Sequence, residues 1–160
     1  MASVDDVAAA ILELTGPIDT FKLQKLLYYS QAWHLVWDAE EIFPDPIEAW
    51  AGGPVVRSIY ENHRQRFTVR EWPRGHSDRL TESERATVQV VVESYGRLTG
   101  RQLSTLTHKE RPWRVARGDL GPGDRGHNEI DPNEMADYYG GLDQDELATA
   151  VAELPTDAAV

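Results

Sequence analysis

The chain contains no cysteine, which removes disulfides, thiolate metal ligands and a cysteine nucleophile together. No apolar run approaches the roughly 18 residues that a membrane-spanning helix requires. The opening MASVDDVAAAILELTG carries acids where a secretory leader carries basic residues. These absences predict a soluble, cytoplasmic protein. Basic residues are also missing from the last stretch: residues 1–127 hold all 16 Lys and Arg, whereas residues 128–160 hold acids and no base. A near-neutral body with an acidic tail, at a formal charge of −11, disfavours nucleic acid as a partner, because a basic field is what supplies non-specific affinity for phosphate. A basic protein surface is electrostatically easier to attract.

What is present is globular. At 160 residues with 41% hydrophobic and 27% charged residues, the chain has the composition and length for one domain around one core. Ser3 followed by two acids and VAAAILEL predicts a capped helix that Gly16-Pro17 ends. Asp19 and Thr20 cap a second helix, FKLQKLLYYSQAWHLVW, which is apolar on nearly every side and therefore belongs in the centre of the core. Its Gln24 and Gln31 lie seven residues apart on one face and need partners there. His34, set among tryptophan and leucine, reads as a paired structural histidine, with a functional role as the alternative.

Beyond Asp38, Ile47–Ala51 alternates as a short strand. Gly52-Gly53 makes a bend, and Pro54 is expected in the first turn of a helix VVRSIYENHRQ. RFTVREW at 66–72 alternates as well, and is expected to pair with Ile47–Ala51 in one antiparallel ribbon. Thr81 to Glu84 form a capping box for a valine-rich helix, which Gly100 is expected to stop. RQLSTLTH reads as a further short helix. Asp131-Pro132 opens NEMADYYGG, with Met135, Tyr138 and Tyr139 on the core side. Asp143 is expected to cap QDELATAVAEL, and LPTDAAV to fray. The carboxylates of Glu134, Asp137, Asp143, Asp145 and Glu146 are expected to point outward.

The motifs of the common catalytic classes are missing. No P-loop lysine follows Gly52-Gly53, no serine stands in a nucleophile elbow, and the five histidines show no metal-ligand spacing. The densest chemistry lies in LTHKERPWRVARG at 106–118. As structure, it is a helix end where His108 and Lys109 suit the dipole, Arg111-Pro112 blocks continuation and Trp113 packs beside the helix just left. As an active site, it is a small hydrolase or transferase using His108 as a base with Glu110. Both readings stand on spacing alone.

Three separated stretches, KLQKLLYYSQAWHL, PIEAWAGGPVVRSIYENHR and LTHKERPWRVAR, give the chain its resemblance to a family. In order and separation they resemble the Panacea domain of SocA-like antitoxins and phage GepA-like proteins, over about residues 4–140. The matching positions are Lys22, Leu23, Gln24 and Lys25; Trp33 and His34; Ala49, Trp50, Gly53, Pro54 and Val55; and Thr107, His108, Lys109, Glu110, Pro112 and Trp113. The resemblance implies a mainly α fold: a single compact helical domain with a central apolar helix and a small antiparallel β-ribbon. Residues 1–140 would form that domain, and residues 141–160 an acidic helix and tail. It further implies a prokaryotic or phage antitoxin that binds and neutralises a cognate protein toxin, or an adaptor that delivers the toxin to a protease. Neither enzymatic activity, cofactor, metal nor membrane is implied. The quoted motif residues would then be framework or partner contacts.

Overall fold

The computed structural model describes residues 1–142 and 144–155. Within them the fold is mainly α, with eight helices and two small antiparallel two-stranded ribbons. Helix α1, Val4–Thr15, starts where the Ser3 hydroxyl accepts the Asp6 N–H at 3.2 Å. It stops at Gly16, whose φ of 71° is one that glycine adopts without strain. Helix α2, Thr20–Asp38, begins at Asp19, whose carboxylate accepts the Lys22 N–H at 2.7 Å.

Packed round α2 are α1, α4 (Glu82–Tyr95), α5 (Gly100–Lys109) and α7 (Pro132–Gly140). Leu23, Leu26, Leu27, Tyr28, Tyr29 and Ala32 are consequently shut off from solvent. The two glutamines of α2 become clamps on passing backbone. Gln31 accepts the Ile42 N–H at 2.7 Å and donates to the Phe43 carbonyl at 2.8 Å. Gln24 does the same to a single residue, accepting from the Val56 N–H at 2.8 Å and donating to its carbonyl at 3.2 Å.

The expected ribbon is replaced by two. Strand β2, Glu48–Trp50, pairs with its own continuation β3, Gly53–Val55, through a turn at Ala51-Gly52. Strand β4, Thr68–Val69, pairs instead with β1, Ile18–Asp19. Pro54 therefore sits in a strand and not in a helix. Its pairing with Ala49 is of the outward-facing kind, since the Ala49 N–H turns away to the Asn128 carbonyl at 2.7 Å. The missing proline N–H thus costs the ladder nothing. Helix α3, Arg57–His63, starts only after Val56, where the Gln24 clamp fixes the chain.

Gly100 opens a helix where it was expected to close one. Helix α4 ends at Tyr95, and α5 starts from a capping box in which Thr99 accepts the Gln102 N–H and Gln102 accepts the Thr99 N–H. Glycine suits that position because a Cβ would come 2.8 Å from the Asp19 carboxylate, so closely do the starts of α5 and α2 meet. Helix α6, Arg111–Arg117, follows at once, with Pro112 in its first turn.

Met135 and Tyr139 of α7 are buried, and Tyr138 is half-buried against the same core. Leu147 and Val151 of α8, Gln144–Ala152, also pack on it, and Leu154 is buried. The expected cap at Asp143 and the end of the expected frayed tail, residues 156–160, lie outside the described residues. Of the acids expected to point outward, Asp137 is exposed and Glu134 half-buried, and both hold Arg111, at 2.7 and 2.9 Å.

Replacing Gln31 with leucine leaves both the Ile42 N–H and the Phe43 carbonyl buried without partners. Q31L is therefore expected to lower unfolding stability by about 2–4 kcal/mol, since each such stranded group costs about 1–3 kcal/mol. Urea denaturation followed by circular dichroism measures it, and a change below about 0.5 kcal/mol would show that the clamp does not hold the 39–47 connection.

Candidate functional site

The conspicuous motif of α5 and α6 closes on the hairpin. Three residues of the β2–β3 hairpin have their backbone carbonyls held from these two helices. The Ala49 carbonyl accepts from Arg117 at 3.2 Å, and the Trp50 carbonyl from the Trp113 indole at 2.9 Å. The Gly52 carbonyl accepts from the Ser104 hydroxyl at 2.5 Å. The His108 and Trp113 rings stack with centroids 4.1 Å apart, which lends the clamp rigidity. Thr107 lies fully buried beneath, its hydroxyl donating to the Ser104 carbonyl at 2.7 Å. Lys109 alone of this group is exposed.

Glu110 turns to the other side. It ends α5 and begins α6, and its carboxylate is buried in a cage of aromatic rings. The Tyr29 and Tyr139 hydroxyls both donate to Oε1 at 2.7 Å. With its proton so used, Tyr139 receives that of Tyr28 at 2.9 Å. Tyr95 stacks on Tyr29 at 4.0 Å and accepts from the Trp33 indole at 2.8 Å. His108 and Glu110 thus answer to separate partners, and the base-with-carboxylate pair that a catalytic reading requires is not formed between them.

The motif residues of α2 divide similarly. Lys22 donates to the Gly96 carbonyl at 2.5 Å, tying the start of α2 to the end of α4. His34 donates through Nδ1 to the Thr87 hydroxyl at 2.9 Å, because that hydroxyl's own proton goes to the Ser83 carbonyl. Lys25 is different. It is 0% exposed, and among the described residues Nζ has no hydrogen-bond partner. Only the Phe21 ring stands over it, at 4.0 Å. Gly53 leaves room for it: at φ 124° a Cβ would meet Lys25 Cε at 2.5 Å.

Sequence reasoning did not single out His63, Phe21 or the tyrosine cage. His63 is buried, and its Nε2 lies 2.9 Å from Gln24 Nε2 across 39 residues of chain. No local spacing announces such a contact. The density of Tyr28, Tyr29, Tyr138 and Tyr139 was the available signal for the cage.

A family model described as Antitoxin SocA-like, Panacea domain matches residues 23–114, more than half of the chain. The match runs from α2 into α6 and so contains the hairpin, α5 and the first residues of α6, while Lys22, Arg117 and α7 lie outside. No curated protein and no solved structure matches the chain.

Burial pushes the Glu110 carboxyl up to about 7, against the opposing pull of its two tyrosine bonds. Burial also holds Lys25 down at about 7, against the opposing charge of Asp19. For Glu110 the folded value lies above the usual 4.5, so its stabilising contribution is complete below pH 4.5 and is lost as pH rises through 7. For Lys25 the folded value lies below the usual 10.5, so its contribution is complete above pH 10.5 and is lost as pH falls through 7. Together they place a stability minimum near neutrality. In denaturation series across pH, Glu110→Gln is expected to flatten the acid limb and Lys25→Met the alkaline limb; identical profiles for wild type and variants would overturn the assignment.

Proposed function

The chain belongs to the SocA-like Panacea antitoxin-domain family, and on that premise we propose that it binds a cognate protein toxin in the cytoplasm and holds it inactive, performing no chemistry of its own. The observation that carries this reading is how the polar motif is used. Its side chains are spent within the domain, on the hairpin backbone and on the tyrosine cage, and they fix a shape more readily than they attack a substrate. The functional unit on this reading is residues 1–140, with residues 141–160 as an acidic appendage. Among the motif residues, exposed Lys109 is the one available for direct contact.

The toxin's contacts belong on surface that folding does not consume. Arg57 is held by Glu48 at 2.8 Å, and Glu134 and Asp137 are held by Arg111. Arg64 and Arg66 are exposed, and they directly precede Phe67, which is 79% exposed. Arginine and aromatic side chains are the usual anchors of tight protein interfaces. This short basic–aromatic arm is therefore where the toxin is expected to dock, with the acidic tail acting on its rate of approach.

The test is co-expression with the product of the neighbouring reading frame. Wild type is expected to restore growth and to co-purify with the toxin. The double variant Arg64→Glu/Arg66→Glu is expected to lose the complex while its melting temperature stays within about 2 °C of wild type, surface changes being worth within about 0.5 kcal/mol. Rescue with intact toxin in the complex marks neutralisation, and rescue with disappearance of the toxin marks delivery to a protease. No association in either background counts against the antitoxin reading itself.

A further inference from the structure

A cleft of about 430 Å³ is lined by residues 50–52 of the β2–β3 hairpin, by Arg57 and Tyr60 of α3, and by residues 125–127 of the loop after α6. One buried side chain fastens both the hairpin and the loop. Arg117, which is 4% exposed, donates to the Ala49 carbonyl in the hairpin at 3.2 Å, and to the Gly121 and Asp124 carbonyls of the loop at 2.8 Å each. On the far side, the Asn128 carbonyl accepts the Ala49 N–H. Arg125, Gly126 and His127 therefore stand between two pinned backbone groups, which hold them against the hairpin although they belong to neither helix nor strand.

The side chains that line the cleft divide into those already bonded and those with donors to spare. Arg57 is bonded: its Nε and Nη2 donate to the two Glu48 oxygens at 3.1 and 2.8 Å, and the same carboxylate accepts from the Trp50 indole at 2.8 Å. The Trp50 ring so held meets the Tyr60 ring edge to face, with centroids 4.7 Å apart. Arg57 Nη2 also lies 2.9 Å from His127 Nδ1. A guanidinium only donates, so Nδ1 is the acceptor, and neutral His127 carries its proton on Nε2. That N–H and the Arg125 guanidinium have no hydrogen-bond or ion-pair partner among the described residues. No acid lines the cleft, and the Asp124 carboxylate beside it accepts the Gly121 N–H at 2.8 Å. In a chain of formal charge −11, the cleft thus sets unspent donors and an unpaired cation next to two aromatic rings.

We propose that this cleft is a binding site for a small aromatic anion, a planar ring that carries a phosphate or carboxylate group. The anionic oxygens accept from the Arg125 guanidinium and from His127 Nε2–H, in the charge-assisted geometry that arginine favours. The ring packs against Trp50 and Tyr60. Arg57 and Glu48 neutralise each other, so Arg125 supplies the attraction. The volume falls in the range of small-molecule sites, about 300–1,000 Å³, and because the hairpin and the loop are already pinned, little ordering of the chain opposes binding. This inference concerns the chain alone and does not rest on the toxin reading.

The full chain is titrated calorimetrically with adenosine monophosphate, indole-3-acetate, adenosine and inorganic phosphate, while the Trp50 indole N–H resonance is followed by NMR. Adenosine monophosphate or indole-3-acetate is expected to bind saturably and to shift that resonance. Tighter binding of the nucleotide assigns a phosphate ligand, and tighter binding of the indole acid a carboxylate. Adenosine and inorganic phosphate each lack one half of the ligand and are expected to bind at least about tenfold more weakly. Arg125→Gln, an exposed change expected to leave the melting temperature within about 2 °C of wild type, is expected to weaken binding at least about tenfold. Tyr60→Leu is expected to weaken it at least about fivefold through lost ring packing. The proposal is overturned if neither aromatic anion saturates, if adenosine or inorganic phosphate binds as tightly as the aromatic anion, if the Trp50 resonance stays unmoved, or if either variant binds as wild type does.

Discussion

A helix whose middle, residues 23–32, is enclosed by protein has no water there with which to satisfy its polar side chains, and the rest of this fold is arranged around that constraint. Helix α2 carries Gln24, Lys25, Ser30, Gln31 and His34 into the interior. Each glutamine draws in a stretch of chain that is neither helix nor strand and bonds it at both donor and acceptor. Buried loop backbone is ordinarily costly. Here the loops are buried because α2 supplies their hydrogen bonds, and α2 tolerates its glutamines because the loops supply theirs.

The second fixture is the hairpin that α5 and α6 grip along its backbone. A two-stranded ribbon is marginal by itself, and this one is stabilised by side chains that bind the turn residues directly. Glu110 connects the grip to the core: it sits at the junction of α5 and α6, and its carboxylate is bound by tyrosines from α2 and α7. The angle between the two clamping helices is thereby referred to the central helix. A motif that looks chemically active is in large part a mechanical joint, and Glu110 and Arg117 are buried within it for that reason.

The charge distribution follows the same division. The acids of α7 partly neutralise Arg111 and so lock α7 to α6. Arg64 and Arg66, just before Phe67, lie outside the helices and the ribbons and keep their exposure. The acidic chain thus carries one short basic–aromatic arm whose charge is opposite to its net charge.

Local chemistry determined what it governs locally. The caps at Ser3, Asp19, Thr81 and Asp131, the centrality of α2 and the seating of Met135 and Tyr139 were legible because each depends on residues within a turn or two, or on an apolar pattern with no polar face. The family was legible from three motifs. Strand pairing was not: Ile47–Ala51 and Thr68–Val69 both alternate, and which edge each finds depends on the tight Ala51-Gly52 turn and on where α2 begins. The role of Gly100 escaped for a similar reason, since glycine permits either a stop or a close approach and only the neighbouring Asp19 decides. The bond between Gln24 and His63 lies furthest from the sequence, because a contact across 39 residues of chain is created by packing alone. Sequence thus determined the helices and their centre through short-range hydrogen bonding and burial. Tertiary structure alone decided which polar groups meet inside, because that depends on the long-range closure of the hairpin against α2.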